Sequence, residues 1–276
     1  MKKHALLVQA HQNIDYFIEL AKSAPDVNIY VHLDKKSAYY PDAAMLAGVT
    51  NLHLLGDRVA VYWGGFSQVA ATLKLFQAAL GDADNAYFHL LSGEDVVLQD
   101  FEVIEKSWQR DFNFAMMMTC ALAPQYGYRF IMDSPHADTA WQRNIVGKVM
   151  TKVQQGFAKL IRYDEPIYFG SQWFSVTRDD WAKILPFTQP YREFFAKKLV
   201  PDEHFFQTII TKNLASQISP SHDNRRRIVF DKAVNNGNSP MYLDIAQLQQ
   251  AKAQGFWFAR KVTADTAKHW LIGETS

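Results

Sequence analysis

The feature that most constrains the fold is the alternation of apolar strands with amphipathic helices over the first hundred residues. His4 to Ala10 is a nearly continuous apolar run of strand length, the pattern of a strand covered on both faces. Asn13 is a capping residue for a helix that places Ile14, Phe17, Ile18 and Ala21 on one face and is stopped by Pro25. Val27 to Leu33 forms a second strand and Leu52 to Leu55 a short third one. Gly64-Gly65 precedes Ser67, expected to cap a helix with Val69, Leu73, Phe76 and Leu80 inward and Gly81 at its end. Ala86 to Leu91 is the fourth strand, followed by Ser92-Gly93-Glu94-Asp95. Strand, helix and strand in succession predict an α/β fold with a mainly parallel central sheet flanked by helices. Further on, Gln172 to Val176 and Phe256 to Ala259 have strand character, and Pro201 opens a helix over Glu203 to Ile210. No composition break divides the chain, so residues 1–276 read as a single domain. Within it, residues 133–164, where Gly147 and Gly156 interrupt a weak helical pattern, read as a lid-like insertion.

Open α/β sheets bind ligands at the carboxyl ends of their strands. That rule directs attention to the polar loops Gln9 to His11, His32 to Asp34 and Ser92 to Asp95. With 29 basic and 28 acidic residues the chain carries a formal charge of +1 and lacks the footprint of a nucleic-acid binder. Gly64-Gly65 is a lone pair, so the glycine-rich phosphate loops of common nucleotide binders are missing. The nine histidines are scattered without metal-ligand spacing, and no metal is expected. Asp82-Ala83-Asp84 has the DxD spacing of metal-dependent sugar-nucleotide transferases, but it precedes the fourth strand and reads as a solvated turn.

A single cysteine, Cys120, rules out an intramolecular disulfide framework and fits a reducing compartment, the cytoplasm by default. Lys2 and Lys3 mimic the basic start of a secretion signal, but the apolar run stops at Gln9, too early for such a signal. The longest apolar stretch, Phe114 to Ala123, is about half of the roughly 20 residues needed to cross a bilayer, so no transmembrane segment is expected.

Glu203 follows Pro201-Asp202 at an expected helix start, where backbone N–H groups and the helix dipole favour a carboxylate. Two roles are open to it there: stabilising the helix end, or acting as a general base held in its ionised form. Arg225-Arg226-Arg227 and Arg260-Lys261 border strand-like segments; each is an ordinary solvated strand end, and together they could neutralise a pyrophosphate without metal. The aromatic content is 14%, and Trp63 and Trp173 stand beside small residues, where an indole face can pack a core or meet a sugar.

Read in order, these motifs resemble the core-2/I-branching β-1,6-N-acetylglucosaminyltransferase family, whose relatives include peptide O-xylosyltransferases and plant glucuronosyltransferases. Val31-His32-Leu33-Asp34-Lys35-Lys36-Ser37 resembles its HxDxKS element, and Trp63-Gly64-Gly65-Phe66-Ser67 its WGGxS element. Tyr87 to Asp95 resembles YFHLLSGxD, and Gly170-Ser171-Gln172-Trp173-Phe174 resembles GSQWF. Pro201 to Thr208 resembles PDExFFxT, and Phe258-Ala259-Arg260-Lys261 resembles the family's FARKF.

The resemblance implies a GT-A-like fold, an inverting mechanism, a UDP-sugar donor and independence from divalent metal. It places the catalytic base on Glu203 and the diphosphate-neutralising cations on Arg226 and Lys261, with Arg225 and Arg227 as alternatives. The donor cleft would further involve His11, Asp34, Arg58 and Asp95, and the acceptor Trp63, Gln172 and Trp173. Animal relatives are luminal, membrane-anchored and cysteine-rich. The single Cys and absent anchor instead fit a bacterial-type cytoplasmic enzyme that builds surface glycans, with peripheral association at the inner membrane face left open. Its expected partners are a UDP-sugar and a glycan or glycolipid acceptor, with no cofactor. Two rivals stand beside this reading: a non-catalytic carbohydrate-binding protein, and a glycoside hydrolase using Glu203 with Asp95.

Overall fold

The computed structural model describes residues 3–161, 163–231, 233 and 239–274; Lys2, and position 162 of the 133–164 segment, lie outside this set. Along the chain run β1 (Lys3–Ala10), α1 (Asp15–Ser23), β2 (Val27–Leu33), β3 (Leu52–Leu54), α2 (Phe66–Leu80), β4 (Asn85–Ser92), β5 (Asp95–Val97) and α3 (Phe101–Phe112). Next come β6 (Ala121–Leu122), α4 (Ile145–Phe157), β7 (Tyr168–Phe169), β8 (Ser175–Thr177), α5 (Arg178–Phe195) and α6 (Phe205–Asn213). The remaining elements are β9 (Arg226–Ile228), α7 (Ile245–Ala253), β10 (Phe258–Arg260) and α8 (Ala264–Glu274).

The main sheet has five strands in the order β3-β2-β1-β4-β8. Its first four strands are parallel, and β8 lies antiparallel on the edge of β4. The alternation of β1 explains its central place. Leu6, Val8 and Ala10 enter one core with Phe17, Trp108 and Trp257, whereas Ala5 and Leu7 enter another with Phe76, Trp181 and Phe205. Helices therefore cover both faces, as the unbroken apolar strands require.

A smaller three-stranded sheet, β5-β10-β9, continues from the carboxyl end of β4. Beyond it, β6 and β7 pair antiparallel and bracket an excursion that holds two short helical turns, Pro124–Arg129 and Ala140–Arg143, and α4. The segment expected as an insertion is thus helical in large part, and it leaves and rejoins the fold through one two-stranded ribbon.

Local details differ from the sequence expectation for identifiable reasons. Ser67 does not cap α2: the helix begins one residue earlier, at Phe66, and Ser67 lies in its first turn. The cap comes from the insertion, because the Asp138 carboxylate accepts from the Ser67 N–H at 3.0 Å and from the Ser67 hydroxyl. Gly65 makes this approach feasible, since a Cβ there would lie 2.1 Å from Asp138 Oδ1. On α2 Val69 and Phe76 are buried as expected, with Leu75 and Ala79 completing the face and Leu73 and Leu80 only half-buried. Strand character in the GSQWF region starts only at Ser175, and the late strand is shifted to Phe258–Arg260.

Candidate active site

Glu203 lies in a short 3-10 turn, Pro201–Glu203, ahead of α6 rather than in the helix itself. Two other motif segments converge on that turn. The Val200 N–H donates to Gly64 O at 2.9 Å, tying the turn to Trp63-Gly64-Gly65. The Gly170 N–H donates to Glu203 O at 2.9 Å, tying it to Gly170-Ser171-Gln172-Trp173. Only glycine fits at position 170, because a Cβ would sit 1.8 Å from Thr119 O.

The Glu203 carboxylate accepts from Arg129 Nη1 at 3.0 Å. The same nitrogen donates to His204 Nε2 at 2.8 Å, while His204 Nδ1 donates to Tyr168 O at 2.7 Å, which fixes the tautomer. The Arg129 guanidinium also stacks over the Tyr126 ring, 4.0 Å from its centroid. Burial raises the pKa of Glu203 above its ordinary value, and the charge and hydrogen bond of Arg129 oppose that rise. Burial, followed by repulsion from Glu203, pushes the pKa of the neighbouring Asp202 up to about 7. Burial and the Arg129 charge push that of His204 down to about 3, so it is a neutral acceptor.

A ribbon of glutamines leads from this turn to the carboxyl end of β1. Gln9 Nε2 donates to Gln68 O at 3.0 Å and to Thr72 Oγ1 at 2.6 Å, and Gln68 Nε2 donates to Gln172 Oε1 at 3.1 Å. Trp63 is 55% exposed, with the Arg143 guanidinium 5.4 Å from its ring centroid. Trp173 is half-buried beneath the Arg260 guanidinium at 4.4 Å. Two buried nitrogens of Arg260, Nε and Nη1, have no hydrogen-bond partner among the described residues.

At the other end, His11 and Asp34 follow the neighbouring strands β1 and β2. His11 is exposed; burial opposes ionisation of Glu94, but the hydrogen bonds of Lys261 and Tyr242 hold its pKa below the ordinary value. Lys261 Nζ lies 2.8 Å from Glu94 Oε2, and Tyr242 Oη donates to Glu94 Oε1 at 2.7 Å. Asp34 is committed within its own loop: it accepts from Lys36 N–H at 2.9 Å, Lys36 Nζ at 2.7 Å and Val61 N–H at 3.2 Å. Burial opposes ionisation of Asp34, but those bonds hold it below the ordinary carboxylate range. Arg58, in the loop that Asp34 fastens, lies over the Tyr40 ring. Asp95 is buried on β5, bonded to the Ser92 N–H and hydroxyl, with Arg260 Nε at 3.6 Å. A cleft of about 1010 Å³ opens between α1 and α8 beside Glu94 and Tyr242; neither Glu203 nor Trp63 lines it.

The structure does not bring Arg226 and Lys261 together. Strands β9 and β10 are adjacent, and they run parallel, but Arg226 opens β9, opposite Phe258, whereas Lys261 follows the end of β10. Arg226 is buried where the β4–β8 ladder opens, and its guanidinium donates to Leu90 O at 3.0 Å, Phe174 O at 2.8 Å and Asn224 O at 2.6 Å. Burial lowers its pKa to about 9. This arginine joins the two sheets. Arg225 is paired with Asp223 at 3.2 Å, and Arg227 lies over Phe256.

Sequence reasoning did not single out Arg129, Asp202, His204 or Glu94. Asp202 and His204 flank Glu203 in the motif and could have been found there; Arg129 gives no such signal. The Asp82 carboxylate accepts from Asn28 Nδ2 at 2.8 Å and from the Asp84 N–H at 3.0 Å in a turn before β4. Among the described residues no group of three His, Cys, Asp or Glu side chains is arranged to hold a metal ion.

Polar loops gathered at the carboxyl ends of a mainly parallel sheet define an α/β protein with its candidate ligand site at that edge. Over residues 13–252 the chain matches the Core-2/I-Branching enzyme family and belongs to it, so it is a glycosyltransferase. No curated protein matches it. Among solved structures it is similar to mannose-1-phosphate geranyltransferase from Thermus thermophilus, at 11% identity over 80% of this chain and 72% of that one, with a TM-score of 0.33.

Proposed function

We propose that the protein is an inverting, metal-independent glycosyltransferase that moves a sugar from a cytoplasmic UDP-sugar to a hydroxyl of a glycan or glycolipid. N-acetylglucosamine is the first donor sugar to test, with xylose and glucuronate as alternatives. The observation that carries the reading is the half-buried Glu203 carboxylate, oriented by Arg129 and adjoining the loops of Trp63 and Gln172.

The acceptor hydroxyl loses its proton to Glu203 as its oxygen bonds to the anomeric carbon. The bond from that carbon to the diphosphate oxygen breaks on the opposite face, and its electron pair leaves with UDP. Lys261, at the edge of the Glu94 loop, is the cation available to the diphosphate; Trp63 and Trp173 offer sugar-stacking surfaces. The hydrolase alternative fares worse, because Asp95, the second carboxylate it needs, is buried and bonded to Ser92.

The deciding experiment compares thermal protection by UDP and by free oligosaccharides. Binding at one hundred times Kd stabilises by about 2.7 kcal/mol. Protection by UDP, with UDP release when an acceptor is added, supports the transferase. Protection by oligosaccharide alone supports the carbohydrate-binding protein instead.

A further inference from the structure

Helix α4 packs the wrong way round for a soluble helix. Its protein-facing side is small or polar: Gly147, Thr151 and Gln154. Gly147 would place a Cβ 2.2 Å from Trp141 O, the Thr151 hydroxyl bonds His136, and Gln154 bonds Ser134 and the Tyr128 carbonyl. Its apolar side faces outward. Ile145, Val149, Val153 and Phe157 recur every fourth residue and are exposed, Ile145 to 78%, and Leu160 just beyond the helix is 84% exposed. Trp141 and Phe157 stand at the two ends of the stripe, where interfacial aromatics anchor a helix.

The charge beside this stripe has one sign. Lys148 and Lys152 share one flank of the helix, with Arg143 just before its start and Lys159 just beyond its end, all exposed. Between Thr139 and Tyr163 the sequence holds no Asp or Glu, although the whole chain is nearly neutral. None of the three lysines forms an ion pair among the described residues. An exposed apolar stripe edged by cations fits an anionic lipid surface. A second copy docked on the same face would set these lysine rows against each other.

We infer that α4 docks this protein flat onto anionic membrane through Trp141, Ile145, Val149, Val153 and Phe157, with Lys148 and Lys152 on lipid headgroups. The docking surface also adjoins the candidate site. Arg143 stacks on Trp63, Gln142 Nε2 donates to Gly64 O at 2.9 Å, and Asp138 caps α2. A membrane held against α4 therefore lies beside the Trp63 and Gly64 end of the candidate site, the side proposed for the acceptor. That last step rests on the glycosyltransferase reading above; the docking itself does not.

The test is co-sedimentation of the full chain with vesicles of phosphatidylglycerol and phosphatidylethanolamine, and with vesicles of phosphatidylcholine alone. Strong partition onto the anionic vesicles and weak partition onto the neutral ones is expected. The double variant Val149→Ser, Val153→Ser, made at sites already facing water, should lose more than tenfold with an unchanged melting temperature. Lys148→Gln with Lys152→Gln should lose about fivefold per lysine, and added salt should mimic it. No partition onto anionic vesicles, or equal partition by the serine variant, overturns the proposal. So does a dimer in gel filtration that the serine variant dissociates, since α4 would then be an interface between copies. Protection by UDP, measured on the same preparations, reports on the active site separately.

Discussion

Replacing Glu203 by Gln separates two roles that the geometry offers this carboxylate, proton acceptor and counter-ion of Arg129. Gln is nearly isosteric, and its Oε1 can still accept from Arg129 Nη1, so the 3.0 Å contact survives without its charge. The bond keeps its charged donor and loses only the charge of its acceptor, so the expected stability loss is ~1 kcal/mol. In a chain of this length that is a fall in Tm of about 2 to 4 °C. Loss of a positioned base costs roughly 100- to 10,000-fold in rate, or about 3 to 5 kcal/mol of barrier. The two magnitudes differ enough to be separated. Melting temperature, UDP affinity by calorimetry and UDP release with acceptor should show a small, an unchanged and a very large effect respectively. A pH profile adds a second arm. Ionised Glu203 is the active form, so kcat/KM falls as pH drops through its folded value, which burial holds above that of a free glutamate. Arg129→Gln removes the main opposing influence and should move that acidic limb to higher pH. A transfer rate for Glu203→Gln within a few-fold of wild type would remove Glu203 from the chemistry and leave it as the partner of Arg129.

Asp202 titrates in the folded chain at about 7, above the free carboxylate, so its stabilising protonation is complete below about pH 4 and lost as pH rises through 7. Asp202→Asn should therefore flatten the fall in urea midpoint between pH 5 and pH 8, by up to ~1.4 kcal/mol per pH unit; parallel profiles would refute this. Lys261→Ala should weaken UDP binding about tenfold with little change in Tm, because Lys261 is a partly exposed cation paired only with Glu94 in an ion bridge. Arg226→Ala should instead lower stability by ~3 kcal/mol or more, since it strips buried carbonyls at Leu90, Phe174 and Asn224 of their donor; unchanged denaturant midpoints would contradict that role. UDP release should persist in excess EDTA, and its loss with rescue by Mn²⁺ or Mg²⁺ would overturn the metal-independent mechanism.

The parallel sheet was legible because β1, β2 and β4 are largely apolar runs separated by helix-length segments, and both faces of β1 are in fact buried. The convergence of the WGG, GSQW and PDE segments was legible only as an order of motifs; the bonds Gly64–Val200, Gln68–Gln172 and Gly170–Glu203 that join them are tertiary. Arg129 carried no local pattern, and its pairing with Glu203 spans 74 positions of sequence. The arginine run held a signal that went unused. Side chains on a strand alternate, so Arg226 faces opposite Arg225 and Arg227, and it is the one of the three that is buried. At α4 the amphipathic period was present, but the usual assumption that an apolar face turns inward fails there, because Gln154 and Thr151 hold the helix by its polar side.

The two ends of the site solve opposite electrostatic problems. At one end Lys261, the cation proposed for the diphosphate, contacts Glu94 Oε2 at 2.8 Å, a contact that an incoming diphosphate would compete for. A carboxylate proposed as a base must be poorly solvated without losing its charge, and two opposed influences act on Glu203: burial raises its pKa and Arg129 restrains the rise. His204 decides whether that balance works. Were it protonated, a second cation would stand beside the carboxylate and weaken it as a base. Its pKa of about 3 keeps it neutral, so its Nε2 accepts from Arg129 and aims the guanidinium at Glu203 without adding charge. In the proposed mechanism the motif residue next to the base thus acts through geometry, by positioning the arginine that the sequence pattern did not reveal.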